Sequence, residues 1–141
     1  MKPDGAAAVR FEAAVPQITV ADVVQTAEYY RDVLGFQIAG YWNGELAGFD
    51  TDPPPLFGIV QRDGVQVFFN RADAPAARRA RASGGYDASV LVTGLEVLAA
   101  ELRARGADIV DGPGDRIYGQ RELVVRDCDG LVVAFGEASG S

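Results

Sequence analysis

Residues 118–137, YGQRELVVRDCDGLVVAFGE, decide the fold. Glu122-Leu123-Val124-Val125-Arg126 is rich in β-branched and apolar residues, the composition of a strand. Asp127-Cys128-Asp129-Gly130 is turn chemistry, because Asp bonds its own backbone and Gly supplies positive φ without steric cost. Leu131 to Phe135 is a second apolar run. The stretch reads as strand, tight turn, strand.

Upstream of it, Asp87 to Val92 reads as a strand, and the spacing of Leu95, Leu98 and Leu102 predicts a helix over Leu95 to Arg105. Gly106 closes that helix, Ala107 to Val110 is extended, and Asp111 to Gly114 reads as a Gly/Pro loop. The first half has the same order. Val15 to Val20 is a strand, Asp22 is an N-cap with Gln25 three residues on, and Val23, Ala27, Tyr30 and Leu34 mark one helix face over Val23 to Leu34. Gly35 is the left-handed terminator. Phe36 to Trp42 is extended, and residues 43–55, with two glycines and Pro53-Pro54-Pro55, form a loop. Leu56 to Gln61 and Val65 to Asn70 are strands joined by Asp63-Gly64. Setting Val20 against Val92 and Gly35 against Gly106 aligns the halves. Each is strand–helix–strand–strand–strand, and two copies suggest paired modules rather than a solenoid.

The expected organisation is a flexible leader at 1–13, one α+β domain at 14–137, and a tail at 138–141. The domain holds modules at 14–70 and 86–137, joined by a linker at 71–85 that carries four of the thirteen basic residues. A length of 141 residues fits one core, and 48% hydrophobic content fits a folded protein. A net charge of −7 argues against a nucleic-acid partner. No apolar run reaches the ~20 residues of a membrane helix. A single cysteine excludes an internal disulfide and suggests a reducing, cytoplasmic location. There is no histidine, so a Ser-His-Asp or Cys-His site cannot form within the chain.

VPQITVADVVQTAEYYRDVLGF (15–36), GIVQRDGVQVFF (58–69) and the closing hairpin, in this order, resemble the vicinal oxygen chelate superfamily, which includes glyoxalase I, extradiol dioxygenases and bleomycin resistance proteins. The bleomycin resistance subgroup is most similar: its Trp-Gly-x-Arg-Glu-Phe and Arg-Asp-Pro-x-Gly stand here as Tyr118-Gly119-Gln120-Arg121-Glu122-Leu123 and Arg126-Asp127-Cys128-Asp129-Gly130. The resemblance implies two βαβββ modules whose curved mixed sheets wrap around a cleft. It also implies a homodimer with the clefts between subunits. Metal-dependent relatives carry ligands at positions that fall here on Val15, Gln66, Asp87 and Ala134. Two of these have no donor atom, so no metal or other cofactor is expected.

A metal-free cleft can still be a pocket lined by aromatic residues with a few polar anchors. The residues that the resemblance and the pattern single out for ligand binding are Phe36, Tyr41, Trp42, Phe57, Tyr118 and Arg121. Tyr41 and Trp42 are adjacent strand residues, so at most one of them faces the cleft. Acids in the loop, Glu45, Asp50 and Asp52, would suit a cationic ligand. Cys128, without a histidine partner, reads as a turn residue. The favoured expectation is a dimeric protein that sequesters an amphipathic or cationic, antibiotic-like small molecule. The alternative is a lyase, isomerase or dioxygenase-like enzyme of the same superfamily with a metal-free or histidine-free site.

Overall fold

The computed structural model describes residues 8–44, 47–72 and 85–138. The first module holds β1 (Gln17–Val20), α1 (Val23–Asp32), β2 (Gln37–Trp42), β3 (Ala47–Gly48), β4 (Phe57–Arg62) and β5 (Val65–Arg71). The second holds β6 (Ala88–Leu91), α2 (Leu95–Ala104), β7 (Asp108–Asp115), β8 (Gln120–Arg126) and β9 (Val132–Ala138). The strand orders are β1-β5-β4-β2-β3 and β6-β9-β8-β7. In each module the first strand runs parallel to the last, and the other pairs are antiparallel. This is the α+β pair of modules that the repeat predicts, with one two-residue strand, β3, added inside the first long loop.

Each helix is anchored at its start by a carboxylate. Asp22 accepts the Gln25 N–H at 3.0 Å, which satisfies one of the donors α1 leaves free. The residue at the same place before α2 is Gly94, which has no side chain to cap with. Glu137 on β9 does so instead, accepting the N–H groups of Gly94 at 2.7 Å and Leu95 at 3.2 Å. Both helices lie on their own sheet. Val23, Ala27 and Tyr30 meet Val60, Val67 and Phe69, while Leu95, Ala99 and Leu102 meet Leu123, Val125 and Phe135. Burying each large apolar side chain is worth roughly 1.5–3 kcal/mol, so the period of these residues dictates which way each helix rolls.

The expected Gly/Pro loop at Asp111 to Gly114 is instead part of β7. The ladder between β7 and β8 shifts register twice, between Ile109 and Asp111 and between Asp111 and Gly114, so the awkward residues bulge without breaking the strand. Gly112 has φ +84°, and a Cβ there would lie 2.2 Å from the Glu122 carbonyl oxygen. Only glycine lets the two backbones approach so closely. The linker expectation falls mainly on residues outside those described, because Arg71 still belongs to β5. Of the leader, residues 8–13 form neither helix nor strand, and Val9 and Phe11 are exposed.

The modules are joined through their helices. From α1, the Tyr30 hydroxyl donates to Asp127 at 2.8 Å, the Tyr29 hydroxyl to the Arg126 carbonyl at 3.2 Å, and the Thr26 hydroxyl to Asp129. In the other direction, Arg62 forks onto Glu101 of α2 with two contacts of 2.8 Å. Arg105 donates to the Asp32 carbonyl at 3.1 Å. One apolar core runs through both modules behind these bonds.

Candidate ligand-binding faces

Strand alternation sorts the first sheet into two sides. Gly58, Val60, Val67 and Phe69 are buried toward α1, so Phe57, Ile59, Gln61, Gln66, Phe68 and Asn70 share the open face, all of them half-buried. Trp42 lies opposite Phe57 in the ladder, and Gln17 lies opposite Phe68. Trp42, Phe57 and Phe68 form a row of edge-to-face rings with centroids 5.5 and 5.3 Å apart. Beside the row stand neutral amides. Gln66 donates to Gln61 at 3.2 Å, and Asn70 to Gln17 at 3.4 Å.

The face of the second sheet turned away from α2 holds a buried charge. Val125, Leu123 and Phe135 point to α2, which sends Glu122, Val124 and Ala134 to the other side. Glu122 is only 3% exposed. Its carboxylate accepts the Tyr86 hydroxyl at 2.9 Å and Arg116 Nε at 3.1 Å. Arg116 places Nη2 2.8 Å from Asp111. Burial acts to raise the Glu122 pKa, but the bonds from Tyr118, Tyr86 and Arg116 together outweigh it and hold the carboxyl below its usual range. The same contact, aided by burial, pushes Tyr118 up to about 12. Burial and the Glu122 carboxylate also raise Tyr86. At neutral pH the cluster therefore holds an ionised carboxylate, two protonated phenols and a guanidinium.

Of the residues singled out by sequence, Trp42 and Phe57 come together in the aromatic row. Tyr118, 59% exposed at the turn between β7 and β8, joins Glu122 instead. Phe36 and Tyr41 are core residues, 5% and 4% exposed. Phe36 packs edge-on against Tyr30 at 5.6 Å, and Tyr41 lies on the helix side, opposite Gly58 in the ladder. Both line an outer pocket of about 410 Å³ with Phe49, and Phe36 also borders a pocket of about 530 Å³ with Arg62, Leu98 and Glu101. Arg121 points away from the open face, since it neighbours Glu122 on the strand, and pairs with Glu96 and, at 3.2 Å, with Asp115. Sequence reasoning missed Phe68, Tyr86 and Arg116. Phe68 was open to a two-residue count from Gln66. Tyr86 and Arg116 lie outside the motif and carried no signal.

Three of the positions that hold metal ligands in metal-dependent relatives, Val15, Gln66 and Asp87, line one pocket of about 580 Å³. Ala134, the fourth, sits opposite Ser89 in the adjoining ladder. Val15 and Ala134 offer no donor atom. The Gln66 amide is bonded to Gln61, and the Asp87 carboxylate accepts the Val132 N–H at 2.8 Å. A transition-metal ion needs three or four donors, so this set does not fit one. Among the described residues no group of three or more His, Cys, Asp or Glu is placed to hold a metal.

Two strand–helix–strand–strand–strand modules, each a mixed sheet with its helix on one face, define the class of fold. The model of the glyoxalase/bleomycin resistance protein/dioxygenase superfamily matches residues 10–135, and the chain belongs to that superfamily. TioX from Micromonospora sp. ML1 is similar in fold, with 19% identity, TM-score 0.67, and coverage of 91% of this chain and 99% of that one. A glyoxalase-related enzyme from Clostridium phytofermentans has 15% identity, TM-score 0.70, and coverage of 95% and 98%. A glyoxalase/bleomycin resistance protein/dioxygenase from Nocardioides has 18% identity, TM-score 0.62, and coverage of 98% and 91%. Comparison with curated protein sequences found no match. Among the described residues no helix is long and apolar enough to cross a membrane.

Proposed function

We propose that the chain is a metal-free binding protein that sequesters an amphipathic, antibiotic-like small molecule in a groove between two copies, with no bond made or broken. The observation that carries this reading is the half-buried row Trp42–Phe57–Phe68 on an open sheet face. Rings left partly uncovered and set beside neutral amides match the lining of ligand pockets, which are largely apolar with a few polar anchors. The second copy supplies cover for faces that one chain leaves open, as the superfamily resemblance implies. The cytoplasm is the compartment proposed, from the single unpaired Cys128.

The enzyme alternative could draw its acid or base from Asp87, Glu122 or a tyrosine, and Glu122 is the buried one of the two carboxylates. Its pKa is lowered, which removes it as a general acid near neutral pH and leaves it a weak base. The binding reading is therefore the better supported.

Trp42, the only tryptophan, gives the test. A panel of planar aromatic natural products, including bleomycin-type glycopeptides, is titrated against the protein while fluorescence and melting temperature are followed. A ligand that binds only the folded state raises apparent stability, by about 2.7 kcal/mol at a hundredfold excess over Kd. A panel in which no member shifts either signal refutes the reading.

A further inference from the structure

We infer that the aromatic face of the first sheet takes an uncharged ligand, a planar ring system bearing carboxamide-like groups, in preference to a cation or an anion of the same size. This rests on the binding reading above and names the chemistry of the molecule bound.

The face carries no charge of its own. On β4 and β5 it is built from Phe57, Ile59, Gln61, Gln66, Phe68 and Asn70, and β1 adds Gln17 and Thr19. The side of a sheet turned from the core is the ordinary place for charged side chains. Charged residues make up 23% of this chain, yet none stands among these. The arginines of β4 and β5 alternate to the other side, with Val60 and Phe69. There Arg62 is forked onto Glu101, and Arg71 donates to the Pro54 carbonyl at 3.1 Å.

The amides stand against the rings. Asn70 lies opposite Phe57 in the β4–β5 ladder and Gln17 opposite Phe68 in the β1–β5 ladder, so this pair, joined at 3.4 Å, borders both rings. On the other side of Phe68 along β5, two residues or about 7 Å away, Gln66 is joined to Gln61 at 3.2 Å. Each amide has two N–H donors and a carbonyl acceptor, and one bond per pair leaves most of that capacity to a ligand. A carboxamide, which both donates and accepts, matches such a border. An ammonium or a carboxylate finds no counter-charge there, and laid against the rings it gives up hydration without return. The Asp87 carboxylate shares a pocket with Gln66, but none of the three rings lines that pocket, and Asp87 accepts the Val132 N–H at 2.8 Å.

The experiment compares three probes on one ring system, naphthalene-2-carboxamide, 2-naphthylmethylammonium and 2-naphthoate, titrated by calorimetry at pH 7 into the full chain. The wild type is expected to bind the carboxamide about tenfold more tightly than either ion, the worth of one or two hydrogen bonds. Asn70→Asp keeps the shape of the side chain and sets a negative charge beside Phe57, so the carboxamide-to-ammonium ratio should fall about tenfold. Gln17→Glu puts the charge at the exposed end of the same pair and must move the ratio the same way, which keeps the outcome readable if Asn70→Asp does not fold. A wild type that prefers the ammonium, drawn by Asp87, or the carboxylate overturns the inference and leaves the binding reading standing. So does a ratio that neither variant moves. If the wild type binds none of the three probes and no member of the aromatic panel, both readings fall together.

Discussion

Asp127→Ala is the most demanding test of how the modules hold together. Asp127 is 6% exposed, and its carboxylate is used three times. Oδ1 accepts the N–H groups of Asp129 and Leu131, each at 2.9 Å, which closes the turn between β8 and β9. Oδ2 accepts the Tyr30 hydroxyl at 2.8 Å, which ties α1 of one module to the hairpin of the other. Truncation removes two backbone bonds worth about 1 kcal/mol each and orphans a buried hydroxyl at about 1–3 kcal/mol, for a total of roughly 3–5 kcal/mol. That is a large part of the 5–15 kcal/mol typical of a single domain. Tyr30→Phe removes only the hydroxyl and leaves the carboxylate its two backbone donors, so it should cost about 1 kcal/mol. In the double variant there is no orphan, and the loss should fall short of the sum by about 1–2 kcal/mol. Urea unfolding at pH 7 measures all three with unchanged m-values. A loss below about 1 kcal/mol for Asp127→Ala, or strictly additive losses, would refute the account of the seam.

Gly112→Ala should destabilise by about 1–3 kcal/mol in thermal unfolding, because φ is +84° and the new methyl meets the Glu122 carbonyl oxygen. Phe57→Ala removes the middle ring of the aromatic row. It should weaken panel ligands about tenfold by calorimetry and cost about 1–3 kcal/mol of stability through two lost ring contacts. Two carboxylates should give opposite pH signatures. The backbone N–H groups of Gly94 and Leu95 hold the Glu137 carboxyl below its usual range, so its stabilisation is present above about pH 4.3 and is lost as pH falls through the native value. Melting of Glu137→Gln against wild type from pH 7 to pH 3 should show the gap closing. Burial pushes the Asp127 carboxyl up, so its contribution is fullest below about pH 3.9 and declines as pH rises through the native value. The gap between wild type and Asp127→Asn should therefore narrow with rising pH, and a gap that widens would contradict the assigned direction.

The modules were legible because local chemistry and tertiary need agree in them. Asp22 caps α1 as its spacing predicts, and Gly35 and Gly106 take φ of +77° and +81° at the helix ends. The Asp127–Gly130 turn closes on itself through Asp127. What escaped was decided by partners distant in sequence. Gly112 and Pro113 look like loop residues until β8 lies against them. The open face is an alternation problem with an unknown origin. Counting by twos groups Phe57 with Ile59, yet only the packing of α1 on Val60 and Phe69 says which group is covered. Tyr41 and Arg121 suit a cleft by their chemistry, and each lies one residue off the sheet face turned away from the helix. Tyr86 and Arg116 converge on Glu122 from a segment before β6 and a turn after β7, and no local pattern encodes that meeting.

Thr26, Glu122 and Asp127 are the buried polar or charged residues among those described. Thr26 and Asp127 both work at the seam, where Asp127 also closes a turn that an apolar residue could not close. Glu122 works away from the seam. Its carboxylate takes its partners from the side chains of Tyr86 and Arg116, and its strand pairs through the backbone whatever its side chain is. Burying a paired charge is close to neutral for stability, and apolar replacement of such a pair often stabilises. Replacing Glu122 alone is different, because it leaves Tyr86 without its acceptor and Arg116 with Asp111 only, and breaking a buried pair destabilises. The Glu122 carboxylate therefore holds the segment before β6 and the turn after β7 against β8.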